Sequence, residues 1–170
     1  MKILIVSDIH GRGYLLSDLL DIHFDRDGLI FLGDGVRDLP DDCTDGGRKW
    51  FTGVAGNCDW LSLNTDGSFP NEILLDIDGF KVLAMHGHTQ NVKSGYERAA
   101  VYASKREADI LLFGHTHETL EKYIPEGEKL GEHIFSRPLY IFNPGSLGAH
   151  SYGLLQIKNR QILFSHGSIK

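Results

Sequence analysis

The sequence predicts an α/β fold, and three observations carry the prediction. Short runs of β-branched residues and leucine end in polar, glycine-containing loops. Amphipathic stretches of helical period separate several of them, and beyond residue 118 the helical period stops and short strands follow one another. Residues 2–7 (KILIVS) and 29–32 (LIFL) read as strands, and 14–23 (YLLSDLLDIH) between them reads as one amphipathic helix. A third strand is expected at 50–55 (WFTGVA). Residues 72–77 and 81–86 form an expected hairpin, because Asp78-Gly79 between them is a strong turn signal. A helix is expected near 94–107, then a buried strand at 109–114 (DILLFG). The remainder reads as strands at 116–124, 132–136, 139–143, 152–158 and 161–166, the last two joined by an Asn159-Arg160 turn. Residues 35–49 and 125–131 are polar, carry Gly or Pro, and read as exposed loops. There is no repeat, low-complexity tract or linker-like run, so residues 1–170 are expected to form a single domain.

A chain of 170 residues with 41% hydrophobic composition can bury a core without disulfides. Cys43 and Cys58 are too few and too loosely spaced for a zinc ribbon or a disulfide framework, and are expected to be reduced thiols. No apolar stretch approaches the roughly 18 residues a membrane span requires, which leads to the expectation of a soluble, cytoplasmic protein with no membrane partner. Seventeen Lys and Arg against 23 Asp and Glu give a net charge of -6, and the basic residues are scattered. That distribution argues against an extended nucleic-acid surface, which needs a stripe of cations to neutralise several phosphates. An acidic chain also repels phosphorylated molecules at long range, so a phosphate site here needs a local source of positive charge; bound cations provide one.

Residues able to ligate a metal recur at the expected strand ends. Asp8 and His10 follow the first strand, Asp34 the second and Asn57 the third; His86 follows the fifth, and His115 with His117 the sixth. Loops at the carboxyl ends of strands in an open sheet converge on one crevice, so residues remote in sequence can meet there. Taken singly, Asp8-Ile9-His10, Gly33-Asp34, Gly56-Asn57-Cys58-Asp59 and Gly114-His115-Thr116-His117 are each compatible with ordinary turn chemistry. Their joint occurrence, in order and each after an apolar run, points to a metal centre.

As a set, Asp8-Ile9-His10-Gly11, Gly33-Asp34, Gly56-Asn57-Cys58-Asp59, His86-Gly87-His88, Gly114-His115-Thr116-His117 and Asn143-Pro144-Gly145-Ser146 make the sequence resemble the calcineurin-like metallophosphoesterases, in particular the small single-domain bacterial and archaeal phosphodiesterases. The resemblance implies a four-layer αββα sandwich of two mixed β-sheets flanked by helices, with two divalent metal ions at one end of the sheets. It assigns Asp8, His10 and His117 to one ion and Asn57, His86 and His115 to the other, with Asp34 bridging them. Imidazole mixed with carboxylate and amide oxygen suits borderline first-row metals such as Mn, Fe, Co, Ni or Zn, and Mn is the ion expected. Two divalent ions against two carboxylates leave the centre net positive, able to attract a small phosphorylated substrate and to activate a hydroxide for attack on a small phosphodiester, for which a nucleotide is one candidate. A homodimer or larger homo-oligomer also fits the resemblance. The alternative it carries is a protein-binding scaffold of the same fold, like a retromer subunit.

The sequence departs from the wider superfamily at Cys58, where many members place a histidine thought to protonate the leaving oxygen. A thiol is a poor general acid at neutral pH, so either the substrate has a good leaving group or His88 is the donor. Asp59, grouped with Cys58 and His88 as a candidate catalytic residue, is read as bracing its loop or orienting a neighbouring histidine. Asn143-Pro144-Gly145-Ser146 is read as a turn that shapes the site. After Ser146 the chain runs Leu-Gly-Ala-His150, where the family has a loop with Pro and Arg, leaving Arg12 as the candidate phosphate clamp. His23, His133, His150 and His166 are read as ordinary polar residues. Specificity is expected in the loops at 35–49 and 60–71.

Overall fold

A computed structural model describes residues 1–59 and 69–170. The part of the 60–71 loop at 60–68 lies outside the described residues. Residues Lys2–Val6 form β1, Gly13–Ile22 α1, Gly28–Phe31 β2 and Trp50–Gly53 β3. Glu72–Ile77 is β4, Phe80–Met85 β5, Glu97–Lys105 α2 and Ile110–Phe113 β6. Then come Thr119–Ile124 as β7, Lys129–Leu130 as β8, His133–Ile134 as β9, Leu139–Pro144 as β10, Ser151–Lys158 as β11 and Gln161–Ser168 as β12.

Ten of these strands make two five-stranded sheets, ordered β12-β11-β1-β2-β3 and β4-β5-β6-β10-β7. Both are mixed. In the first, β1, β2 and β3 are parallel while β11 and β12 join antiparallel. In the second, β5, β6 and β10 are parallel and β4 and β7 flank them antiparallel.

Side-chain alternation along the strands divides the core into three layers. Ile3, Ile5, Ile30 and Leu32 of the first sheet meet Val82, Ala84, Ile110, Leu112 and Phe142 of the second, filling the space between the sheets. Leu4, Val6, Leu29 and Phe31 face the other way, onto Leu15, Leu16 and Leu19 of α1. Leu83, Met85, Leu111 and Phe113 likewise lie under Ala99, Ala100 and Ala103 of α2. Each sheet therefore carries one helix on its outer face, giving the four-layer αββα arrangement the motifs implied. Every residue of β2 and of β6 is buried, as expected of parallel strands covered on both faces. The helix α2 lies close to its sheet because its buried positions are Ala and Ser, and Glu97 in its first turn and Lys105 in its last complement the helix dipole.

Several boundaries differ from expectation. Residues 94–107 contain a shorter helix, because Val92–Ser94 forms a separate 3-10 turn that ends at Gly95 with φ 131°. The strand expected at 132–136 is reduced to β9, paired only with β8, and Phe135 turns into the core instead of continuing the ladder. The loop at 35–49 is not uniformly exposed. Cys43 is 5% exposed and packs beneath α1, where the Arg26 guanidinium donates to its carbonyl at 3.3 Å. Cys43 and Cys58 are both free thiols. Among the described residues, no helix is long and apolar enough to cross a membrane.

Candidate metal centre

The parallel strands β1, β2, β3, β5 and β6 all deliver their C-terminal ends to one edge of the molecule, and the polar residues singled out in the sequence lie in the turns that follow them. The structure brings all seven together in two adjoining groups. In the first, donor atoms of Asp8, His10 and His117 lie within 4.8 Å of one another. His117 Nε2 is 3.1 Å from Asp8 Oδ1 and 3.2 Å from His10 Nε2. In the second, His86 Nε2 is 3.2 Å from Asn57 Oδ1, 3.1 Å from His115 Nδ1 and 3.4 Å from Asp34 Oδ2. Asp34 faces both groups, since it also offers an oxygen within 4.8 Å of donor atoms of His10 and Cys58.

Backbone geometry makes this convergence possible. Asp8, His10, Asp34, His115 and His117 all have positive φ, between 48° and 67°, a region that Asp and His enter more readily than most residues. Two glycines let the loops approach. A Cβ on Gly56 would strike the amide and carboxylate of Asp34, and one on Gly114 would strike Ser7 Oγ and lie 2.9 Å from Asp8 Oδ2. Any larger residue at either position displaces a carboxylate of the candidate centre.

Hydrogen bonds then orient the side chains. His86 is fully buried and its Nδ1 lies 2.7 Å from the Leu32 carbonyl, so the Nδ1–H donates there and the Nε2 lone pair points at Asp34, Asn57 and His115. Asp8 Oδ2 accepts from Ser7 Oγ at 2.6 Å and from the His115 amide at 3.0 Å. Asp8 Oδ1, in a side chain 0% exposed, has no hydrogen-bond donor among the described residues and faces the two histidines. A buried, unpaired carboxylate oxygen is costly unless a cation compensates it. The separations of 3.1–3.4 Å between facing donors match the edges of a coordination polyhedron whose ligands stand about 2.0–2.1 Å from a first-row cation. Donor type, orphaned oxygen and spacing all fit divalent metal.

Charge reinforces the arrangement. Burial alone would push the Asp34 carboxyl up, but the His86 imidazole and the Cys58 amide, which donates to Oδ1 at 2.7 Å, outweigh it and hold the group well below the usual carboxylate range. Burial disfavours the imidazolium of His86, while Asp34 and Asp8 act more strongly and raise it. Burial, then His86, Lys93 and His88, bring His115 down to about 4 against the pull of Asp34. Asp34 thus stays ionised and His115 stays neutral, as ligation of a cation requires.

The three candidate catalytic residues separate. Asp59 is 5% exposed, and its carboxylate accepts from four backbone amides: Asp34 and Gly56 at 2.8 Å, Gly35 at 2.9 Å and Val36 at 3.0 Å. It clamps the Asp34 loop to the Asn57 loop and is a positioning residue. Cys58 is exposed beside Asn57, whose Nδ2 lies 3.3 Å from its Sγ, and burial together with Asp34, Asp59 and Asp8 raises its thiol to about 11. The His88 ring lies 5.4 Å from that of His86 and 6.1 Å from that of His115, and its Nδ1 is buried with no hydrogen-bond partner among the described residues. Burial and His86 lower its pKa.

The Asn143–Ser146 turn braces the site. Asn143 Nδ2 donates to the Gly114 carbonyl and to Thr116 Oγ1, both at 3.0 Å, and Ser146 Oγ donates to the Asp8 carbonyl at 2.8 Å. Arg12 lies with Nη1 3.0 Å from His150 Nε2, and His150 Nδ1 is 3.0 Å from the Ile169 carbonyl. The departure at His150 therefore has a partner in Arg12. Ser7 and the Leu32 carbonyl support the candidate ligands without having been singled out in the sequence, and Thr116 stood there only as part of its motif. Small hydroxyls and main-chain oxygens carry no signal of their own in a single sequence.

Comparison with known proteins agrees with this geometry. The model of the calcineurin-like phosphoesterase superfamily domain matches residues 1–160, and the chain belongs to that family. It is 29% identical over 160 residues to a probable metallophosphoesterase of Bacillus subtilis, YsnB, covering 94% of this chain and 86% of the relative. A probable metallophosphoesterase of Mycoplasma genitalium is 27% identical over 151 residues, 86% of this chain and 77% of that one. Among solved structures, a predicted phosphoesterase from Streptococcus pneumoniae superposes with a TM-score of 0.72 at 20% identity over 98% of this chain and 88% of the other. Vps29 from Entamoeba histolytica in complex with zinc gives 0.67 at 20% identity over 99% of both chains. These likenesses make the chain a metallophosphoesterase by family and by fold.

Proposed function

We propose that the protein is a dinuclear metal-dependent phosphodiesterase, with Asp8, His10 and His117 holding one cation, Asn57, His86 and His115 the other, and Asp34 bridging. The observation that carries this reading is the buried Asp8 Oδ1, which has no hydrogen-bond donor among the described residues and faces His10 and His117, with Asp34 standing between that group and the next. When bound, two divalent ions of the Mn, Fe, Co, Ni or Zn type would supply positive charge for a phosphate and lower the pKa of a water towards neutrality. The protein's own residues hold the donors at fixed separation and fix the His86 tautomer through the Leu32 carbonyl. A diester brings one negative charge and two non-bridging oxygens. The dianion of a monoester adds a third oxygen, for which the Cys58 thiol at the rim is a weak hydrogen-bond donor. A small phosphodiester is accordingly the favoured substrate class. His88 is the candidate for proton transfer at the leaving oxygen, supported by its unpartnered Nδ1 beside the ligand histidines.

The test is hydrolysis of bis(p-nitrophenyl) phosphate and p-nitrophenyl phosphate by chelator-stripped protein, with each metal added back. Metal-dependent turnover of the diester above the monoester is expected, falling by about 100-fold or more in Asp34→Ala and Asn57→Ala. Absence of turnover with every metal, in folded protein that binds metal, would favour a protein-binding scaffold. The likeness to Vps29 from Cryptosporidium parvum, a TM-score of 0.65 over 99% of this chain, keeps that second reading in view.

A further inference from the structure

A cleft of about 450 Å³ opens beside the metal centre, between the 3-10 turn Val92–Ser94, the start of α2 and the connection from β6 into β7. Its wall includes Thr116, the residue between His115 and His117, so the cleft and the centre share one loop. Val92, Tyr96 and Leu120 give it an apolar and aromatic surface, while Lys93 and Glu118, both exposed, line it with an ammonium and a carboxylate. Thr116 Oγ1 is held by Asn143 Nδ2 at 3.0 Å and by the Glu118 amide at 3.2 Å, which fixes that wall relative to the ligand histidines.

We propose that this cleft is the subsite for the organic arm of the phosphodiester, and that the arm is a ring with hydrogen-bonding substituents, of which a nucleoside is the type. The inference rests on the phosphodiesterase reading and adds to it the residues that select the substrate. The chemistry of the lining leads to that class. A planar ring packs against Leu120, Val92 and the part of Tyr96 left open by Lys122, whose Nζ lies 5.3 Å from the Tyr96 ring centroid; hydroxyl or ring N–H groups donate to the Glu118 carboxylate; and the Lys93 ammonium supplies positive charge for the anionic ester. A volume of about 450 Å³ accommodates a mononucleotide and is far larger than an alkyl ester needs. A plain alkyl arm would leave Lys93 and Glu118 without a function in binding.

Two measurements test this, one of binding and one of turnover. Amide spectra of uniformly labelled, zinc-loaded protein are recorded with thymidine 5′-monophosphate and, separately, with inorganic phosphate. The nucleotide is expected to shift the amides of residues 92–96 and 118–120, where phosphate alone does not, and Lys93→Glu is expected to weaken nucleotide binding about tenfold. In parallel, kcat/KM is compared for the p-nitrophenyl esters of thymidine 5′-phosphate and of methyl phosphate, which share a leaving group. Wild type is expected to prefer the nucleotide ester at least tenfold, through KM, and Lys93→Glu and Thr119→Trp are expected to collapse that preference. Identical shifts with nucleotide and phosphate, or none with either, would overturn the cleft assignment, as would equal turnover of the two esters. Cleft shifts in a protein that hydrolyses neither ester would retain the cleft as a nucleotide site and overturn the phosphodiesterase reading alone.

Discussion

Asp8, His10, Asp34, His115 and His117 all occupy left-handed backbone, a concentration of strain in the loops that carry the candidate ligands. Such conformations cost on the order of 1 kcal/mol or more each and persist where the surroundings over-determine them. Here the surroundings are identifiable: Asp59 under Asp34 and Gly56, Ser7 and the His115 amide on Asp8, and Asn143 across Gly114 and Thr116. Asp59 carries the largest share, since four amides end on its carboxylate. Asp59→Ala is expected to destabilise the protein by about 3 kcal/mol or more, because four amides, two of them buried, lose a charged acceptor. Asp59→Asn should lie between. Urea unfolding of the metal-free proteins measures it, and a loss under about 1 kcal/mol would show that water replaces the carboxylate. At this scale the candidate donors could be picked out of the sequence, because Asp, Asn and His each follow an apolar run, and the structure brings them together. The braces were legible only in part. Asp59 and the Asn143 turn stood inside motifs, whereas Ser7 and the Leu32 carbonyl could be found only from three-dimensional contacts.

Elements were legible where hydrophobic period and burial coincide. The strands β1, β2 and β6 are short apolar runs that the fold buries on both faces, and α1 shows Leu15, Leu16 and Leu19 on one side. The reading failed where a segment's fate depends on a partner remote in sequence. Residues 132–136 look like a strand, yet β9 finds only β8 to pair with, because β10 takes the place beside β7 and Phe135 is drawn into the α2 layer. The end of α1 shows a related effect. His23 caps the helix through its amide to the Leu19 carbonyl at 2.9 Å, and its ring lies edge-on to Tyr152 at 5.2 Å. Burial, with Lys2 and Arg26 nearby, lowers its pKa below the ordinary 6.5 despite Asp25. A lowered folded value means the unfolded chain takes up the proton first as the pH falls. The stability His23 contributes is therefore complete above about pH 6.5 and is lost as the pH falls towards the folded value. His23→Gln should flatten the decline in Tm between about pH 7 and pH 5 relative to wild type. Parallel curves for the two proteins would remove His23 from the account.

At the scale of the whole molecule, two mixed sheets packed face to face explain how loops from both halves of the chain reach one edge. Asp8, His10, Asp34 and Asn57 come from the first sheet, and His86, His115 and His117 from the second. The order of motifs along the chain made the family legible. The pairing of sheets decides which donors face one another, and the sequence alone could not supply the separations between them. The net charge of -6 gives the molecule no attraction for phosphate until cations occupy the centre. The central claim is that the seven residues form two cradles joined by Asp34. The direct test is metal stoichiometry, by elemental analysis and titration calorimetry of apoprotein reconstituted with Mn or Zn. The account predicts two ions per wild-type chain, one per chain in His117→Ala and in Asn57→Ala, and weakened binding of both in Asp34→Ala. A single ion in the wild type, or two ions undiminished in Asp34→Ala, would contradict it.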